Sequence, residues 1–163
     1  MAMRRHGGRN LVHRKELLVA REYPSVPIVG VGAVIIRDAR VLLVQRGNEP
    51  SRGRWSIPGG VVELGETLAE AVTREVREEC GLEVAAQDVL STVDMIQHDP
   101  QGRIQYHYVL IDLRARYVSG EATADTDALD VRWVEETQLD RMDLVSRLLP
   151  VLHKALRETS PGI

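Results

Sequence analysis

A chain of 163 residues has room for one domain with a full hydrophobic core, and 44% hydrophobic with 28% charged residues excludes a disordered or fibrous protein. No apolar run approaches the ~20 residues that span a bilayer, and the N-terminal stretch lacks the apolar core of a secretory leader. One cysteine, Cys80, excludes an intramolecular disulfide and a cysteine-based zinc cluster, so the chain reads as intracellular and cytoplasmic.

The net charge of −3 is unevenly spread. Residues 1–27 carry Arg4, Arg5, Arg9, Arg14, Lys15 and Arg21 against Glu16 and Glu22, which reads as a basic arm with an extended lead-in through Pro24 and Pro27. Such an arm can bind nucleic acid, membrane or another subunit; a solvated terminus is the simpler reading. Lysine occurs only at 15 and 154 and phenylalanine nowhere, a coding bias toward arginine. No arginine therefore counts as a phosphate ligand by its presence alone. Residues 28–158 are expected to form a single domain, with 159–163 as a tail.

The β-branched runs 28–37 and 40–46 predict two strands joined by a tight turn at Asp38-Ala39. Residues 47–54 form a polar loop leading into Trp55-Ser-Ile-Pro-Gly-Gly. A helix follows at about 67–80, opened by a Thr67-x-x-Glu70 capping box and closed by Gly81. Residues 89–99 and 104–118 flank Pro100-Gln-Gly102 and predict a β-hairpin that carries His98 and His107. Another strand is expected at 129–134. The C-terminal segment has helical spacing of Leu144, Leu148, Val151, Leu152 and Leu156, with Pro150 either kinking the helix or lying in its first turn. Strands dominate and do not alternate with helices, so the class is α+β.

On a helical wheel with Leu68 at zero, Leu68, Ala69, Val72, Val76 and Cys80 form the buried stripe. Glu70, Arg74 and Arg77 fall on the solvent side, where Glu70–Arg74 and Arg74–Glu78 are spaced to pair. Glu75 and Glu79, one turn apart, lie at the edge of the apolar stripe with Glu78 beside them. Two like charges there repel and lose solvation unless a cation sits between them. Oxygen ligands alone select a hard cation such as Mg²⁺ or Mn²⁺.

At these residues the chain resembles a known family. Gly60, Glu66 and the run Arg74-Glu75-Val76-Arg77-Glu78-Glu79-Cys80-Gly81-Leu82 match the Nudix box in full; nine constrained positions match by chance on the order of once in 10⁹–10¹⁰ starting points. The likeness extends over roughly residues 26–135. It implies the Nudix fold, a mixed β-sheet sandwiched between α-helices, and Mg²⁺-dependent hydrolysis of a nucleoside diphosphate linked to another moiety. It further implies that Glu75, Glu78 and Glu79 hold the metal with the carbonyl of Gly60, and that Glu66 and Arg74 brace the loop against the helix. An additional acid or general base is expected from the loop at 120–134. Asp127 is favoured there by its spacing from Trp133, over Glu121, Asp125 and Asp130. Arg46, at the end of the second strand, either reaches a substrate phosphate or stands in water. Nudix hydrolases of this type are often homodimers.

Within the family, SRGRWSIPGGVVELGET, VDMIQHDPQGRIQYHYVLIDLRARY and DALDVRW resemble short bacterial ADP-ribose pyrophosphatases. The implied reaction converts ADP-ribose and water to AMP and ribose 5-phosphate. Alternatives are a nucleotide-sanitising hydrolase of dNTPs or oxidised nucleotides, an RNA 5′-pyrophosphohydrolase, and a catalytically silent nucleotide sensor. No aromatic-plus-basic platform for bases supports the RNA reading, so no nucleic-acid partner is expected. A silent sensor is expected to lack box glutamates, and all are present.

Overall fold

The computed structural model describes residues 21–125 and 127–159. Most of the basic arm, residues 1–20, and the tail from 160 lie outside the described residues. The described residues group into two compact units, one of residues 21–28 with 94–109 and one of 29–93 with 110–125 and 127–159. Two long strands contribute to both.

The strands are β1 (Ile28–Arg37), β2 (Arg40–Arg46), β3 (Trp55–Ser56), β4 (Gly59–Val61), β5 (Glu83–His98), β6 (Ile104–Ser119) and β7 (Ala128–Glu135). The helices are α1 (Leu68–Cys80), the short α2 (Glu136–Leu139) and α3 (Leu148–Thr159). The sheet runs β3-β2-β1-β6-β5, with β4 added to β1 and β7 to β2. The class is α+β, as expected.

The larger unit is built on the β1–β2 hairpin. Ile36 pairs with Val41 and Arg37 with Arg40, which leaves a two-residue turn at Asp38-Ala39. Both turn residues have positive φ, 51° and 57°, the left-handed pair that matches the twist of a tight hairpin. The hairpin is apolar on both sides because both of its faces are covered. Ala33, Ile35, Leu42 and Val44 pack with Val72, Val76 and Cys80 of α1. Val34, Val41 and Leu43 pack with Leu148, Leu152 and Leu156 of α3. Pro150 lies in the first turn of α3, where a missing N–H costs nothing, so the helix starts late rather than kinking.

A buried ion pair ties the start of α3 to the sheet. Asp112 on β6 is fully buried and receives both terminal nitrogens of Arg147, with Ser91 Oγ donating at 3.2 Å. Nothing local in the sequence announces this pair.

In the smaller unit the hairpin between β5 and β6 turns at Asp99, whose backbone carbonyl accepts from Gly102 N at 2.9 Å with Pro100 between. The Asp99 side chain accepts from the backbone N–H groups of Gln101 and Arg103, from Arg103 Nε at 2.7 Å and from Tyr23 Oη at 3.1 Å. A short polar side chain that satisfies backbone donors in this way is the reason Asp starts such turns. His98 and His107 lie on the hairpin strands, as expected.

Candidate active site

Helix α1 forms where the capping signals place it. Thr67 Oγ1 accepts from Glu70 N at 3.2 Å, and the Glu70 carboxylate accepts from Thr67 N at 2.8 Å. Gly81, at φ 68°, ends the helix with its N–H on the carbonyl of Arg77. The buried stripe differs from the wheel in two respects, the first being that Leu68 is only partly buried. Ala71 is buried and Ala69 is exposed, which turns the buried arc toward Glu75 and Glu79. Those two glutamates lie within the packed face, not at its margin.

Opposite this face lies β4, held to β1 by Gly59–Gly32 and Gly60–Val31 pairing. Gly59 N donates to Glu79 Oε2 at 3.0 Å. Gly60 abuts the Glu75 carboxylate so closely that a β-carbon there would displace that side chain.

Arg74 organises the acidic cluster. Its Nε and Nη2 form a fork on Glu66 at 2.6 and 2.9 Å, Nη2 also donates to the Val61 carbonyl at 3.0 Å, and Nη1 donates to Glu75 Oε1 at 2.7 Å. Glu78 lies 3.6 Å from the same nitrogen. The wheel places Arg74 on the solvent side, but its long side chain bends back over the helix and is only 21% exposed. Glu70 does not take up Arg74 and serves the cap instead. The fork holds the Glu66 carboxyl down at about 2.

Glu79 has the opposite electrostatics. Burial pushes its carboxyl up to about 8; the Gly59 hydrogen bond and Arg46 oppose that rise, while the charges of Glu75 and Asp127 add to it. Four side chains from three segments thus share one electrostatic environment: Arg46 from β2, Glu75 and Glu79 from α1, and Asp127 from the loop before β7. The neighbouring Cys80 thiol is pushed up by burial to about 12, so it is inert as a nucleophile.

Backbone bonds seat the acidic loop. Thr123 N donates to the Cys80 carbonyl and Asp125 N to the Glu79 carbonyl, each at 3.0 Å, so the loop caps the C-terminal end of α1. Of the rival acids, Asp130 is turned to its own strand and pairs with Arg132 at 2.8 Å. Arg46 is steadied by the Pro50 carbonyl, which accepts from its Nε at 2.9 Å.

Glu75 and Glu79 lie against the glycine backbone of β4, with Glu78 on the adjoining turn, and carboxylate oxygens of this kind suit a hard divalent cation. Among the described residues no three such groups are already drawn together as a metal cluster. Glu75 and Glu78 lean on Arg74 and Glu79 on Gly59 instead. Residues that the sequence reading missed are Gly59, whose N–H holds Glu79, and Gly47, whose N–H donates to the Asp127 carbonyl at 2.8 Å. The Gly59-Gly60 pair was the available signal for the first; nothing local marks the second.

A family model, the NUDIX domain, matches residues 26–155. The chain is 31% identical over 134 residues to an ADP-ribose pyrophosphatase of Methanocaldococcus jannaschii, covering 82% of this chain and 76% of that protein. It is 37% identical to the low-salt glycan biosynthesis protein Agl8 of Haloferax volcanii, covering 66% and 65% of the two. It is 34% identical to the human 8-oxo-dGDP phosphatase NUDT18, covering 71% of this chain and 34% of that one. The chain therefore spans less than two thirds of the last two. Among solved structures it resembles a MutT protein of Methanosarcina mazei, with TM-score 0.68, 25% identity and coverage of 84% and 99%. It also resembles the NUDIX domain of Shewanella oneidensis NrtR complexed with ADP ribose, with TM-score 0.66, 25% identity and coverage of 83% and 90%.

Proposed function

The chain belongs to the Nudix family, and from that premise we propose that it hydrolyses ADP-ribose to AMP and ribose 5-phosphate with Mg²⁺ or Mn²⁺. It is a Nudix pyrophosphohydrolase. The observation that supports the rest is the seating of Glu79 on the Gly59 N–H and of Glu75 against Gly60, with the charges of Arg46 and Asp127 acting on Glu79.

Glu75, Glu78 and Glu79, with the carbonyl of Gly60, would hold the divalent cation. When bound, it neutralises diphosphate oxygens that otherwise repel a nucleophile, and it lowers the pKa of the attacking water. The chain's own groups do the rest. Asp127 takes the remaining proton from the water as general base. Oxygen of that water bonds to phosphorus, and the bridging P–O bond breaks to release the two monophosphates. Arg46 pairs with a substrate phosphate on the same side of the site. The Glu66–Arg74 fork keeps the glutamate helix fixed against the loop before it, so the donors need not reorganise during the reaction.

The ADP-ribose reading is supported by the strand and hairpin likeness and by the substrate named for the methanogen relative and bound in the NrtR structure. A second reading, the sanitising of oxidised nucleotides, is favoured by the name of the human relative. Side-by-side turnover of ADP-ribose, 8-oxo-dGTP and dNTPs with Mg²⁺, with products identified, separates the two. Faster hydrolysis of the deoxynucleotides would displace ADP-ribose. Glu79→Gln should abolish Mg²⁺-dependent turnover while circular dichroism stays that of the folded chain. Near-normal activity in that variant sinks the metal assignment.

A further inference from the structure

We infer that Gly47 is a positioning residue for Asp127, acting through the backbone rather than through any contact with substrate. The inference rests on the reading of Asp127 as the general base. Three observations carry it.

The first is the strap itself. Asp127 lies between two anchor points: upstream, Thr123 N and Asp125 N are fixed to the last carbonyls of α1, and at Asp127 the carbonyl accepts from Gly47 N at 2.8 Å. The loop is thereby tied at one end to the helix that carries the glutamates and at the other to the strand end that carries Arg46. The second is the fit at Gly47. A β-carbon there would stand 2.6 Å from the Asp127 carbonyl oxygen and 3.2 Å from its carbon, well inside contact distance. The obstacle is backbone, so it cannot swing away as a flexible side chain would. The third is the register. Gln45 pairs with Asp130 but Arg46 with Ala128, so Leu129 is an extra residue, and β7 is bulged next to Asp127. A bulge bends its strand and redirects the adjoining side chains. Gly47 N closes the pairing just past that bulge and fixes where the redirected segment comes to rest.

A methyl group at position 47 must therefore push the Asp127 backbone away by a fraction of an ångström or more. Reacting groups are sensitive to displacements of that size: about 1 Å of misplacement costs on the order of 100-fold in rate.

The test is a double-mutant cycle on the full chain with Mg²⁺ and ADP-ribose, or 8-oxo-dGTP if that is the substrate turned over. Gly47→Ala should lower kcat by on the order of 10-fold and leave KM within about twofold. In the Asp127→Asn background the same change should alter kcat by less than about twofold, because the strap then has no base to position. Equal factors in the two backgrounds, or no loss from Gly47→Ala, overturn the inference while leaving the base assignment standing. Wild-type kcat in Asp127→Asn overturns the base assignment and this inference with it. Amide hydrogen exchange on the unaltered chain supplies a readout independent of how the variants fold. Gly47 N–H should be protected, and exchange at an unstructured rate would remove the strap.

Discussion

Glu66 and Arg74 show how a single pair can be both brace and charge balance. Arg74 satisfies Glu66 with a two-point fork and still reaches Glu75 and the Val61 carbonyl, so one guanidinium joins loop, strand and helix. The Glu66 carboxyl is held at about 2, below the ordinary 4.5. A carboxyl lowered in the folded state contributes stability that is complete above its ordinary value and lost as pH falls toward the lowered one. The native chain should therefore lose this contribution between about pH 4.5 and 2. Glu66→Gln should be less stable at pH 7 and show a shallower decline over that window, as read from urea midpoints at successive pH values. The fork itself was legible as spacing between Glu66 and Arg74 in a known motif. The reach of Arg74 across the helix was not, because a wheel treats every side chain as radial and a long arginine can fold along the surface.

At the scale of elements, the β1–β2 turn contains a cost that the rest of the hairpin outweighs. Ala39 has φ 57°, a left-handed conformation that its β-carbon resists by about 1–2 kcal/mol. Ala39→Gly keeps the two-residue turn and should stabilise the chain by about 1 kcal/mol, seen as a higher urea midpoint with an unchanged slope. Strands β1 and β2 could be read from the sequence because continuous β-branched runs admit few alternatives. Strand β5 begins at Glu83, earlier than the expected 89, and its first residues lack a strong alternating pattern. Strands β3 and β4 are two and three residues long and too short for any period to show. Their pairing is tertiary: β4 exists because two glycines let its backbone lie against β1 beside the glutamate helix. That is also why the candidate site was legible on α1 and much less so across from it.

For the molecule as a whole, the two-sided hairpin separates the helix bearing the glutamates from the C-terminal helix, each with its own apolar cluster. Asp112 and Arg147 join the C-terminal layer to the sheet across 35 positions of sequence, which is why no local pattern foretold them. Removing one partner strands a charge in the interior. Arg147→Met should cost about 3–5 kcal/mol in chemical denaturation, and an added Asp112→Leu should recover much of it. No helix among the described residues is long and apolar enough to cross a membrane.

The raised carboxyl of Glu79 has a calorimetric consequence. With a value of about 8, it holds its proton near neutrality in the cation-free chain, so ligation by a divalent ion must expel that proton. With Glu79 as a metal ligand, as proposed, the chain would act as an acid toward its buffer on loading. At pH 7 the heat of Mg²⁺ or Mn²⁺ binding should vary with the buffer's ionisation enthalpy with a slope of about one proton, falling toward zero above about pH 9. Apparent affinity should climb with pH over the same interval and level off once the proton is already gone. In Glu79→Gln the slope should vanish. A slope that persists there would assign the released proton to a different group.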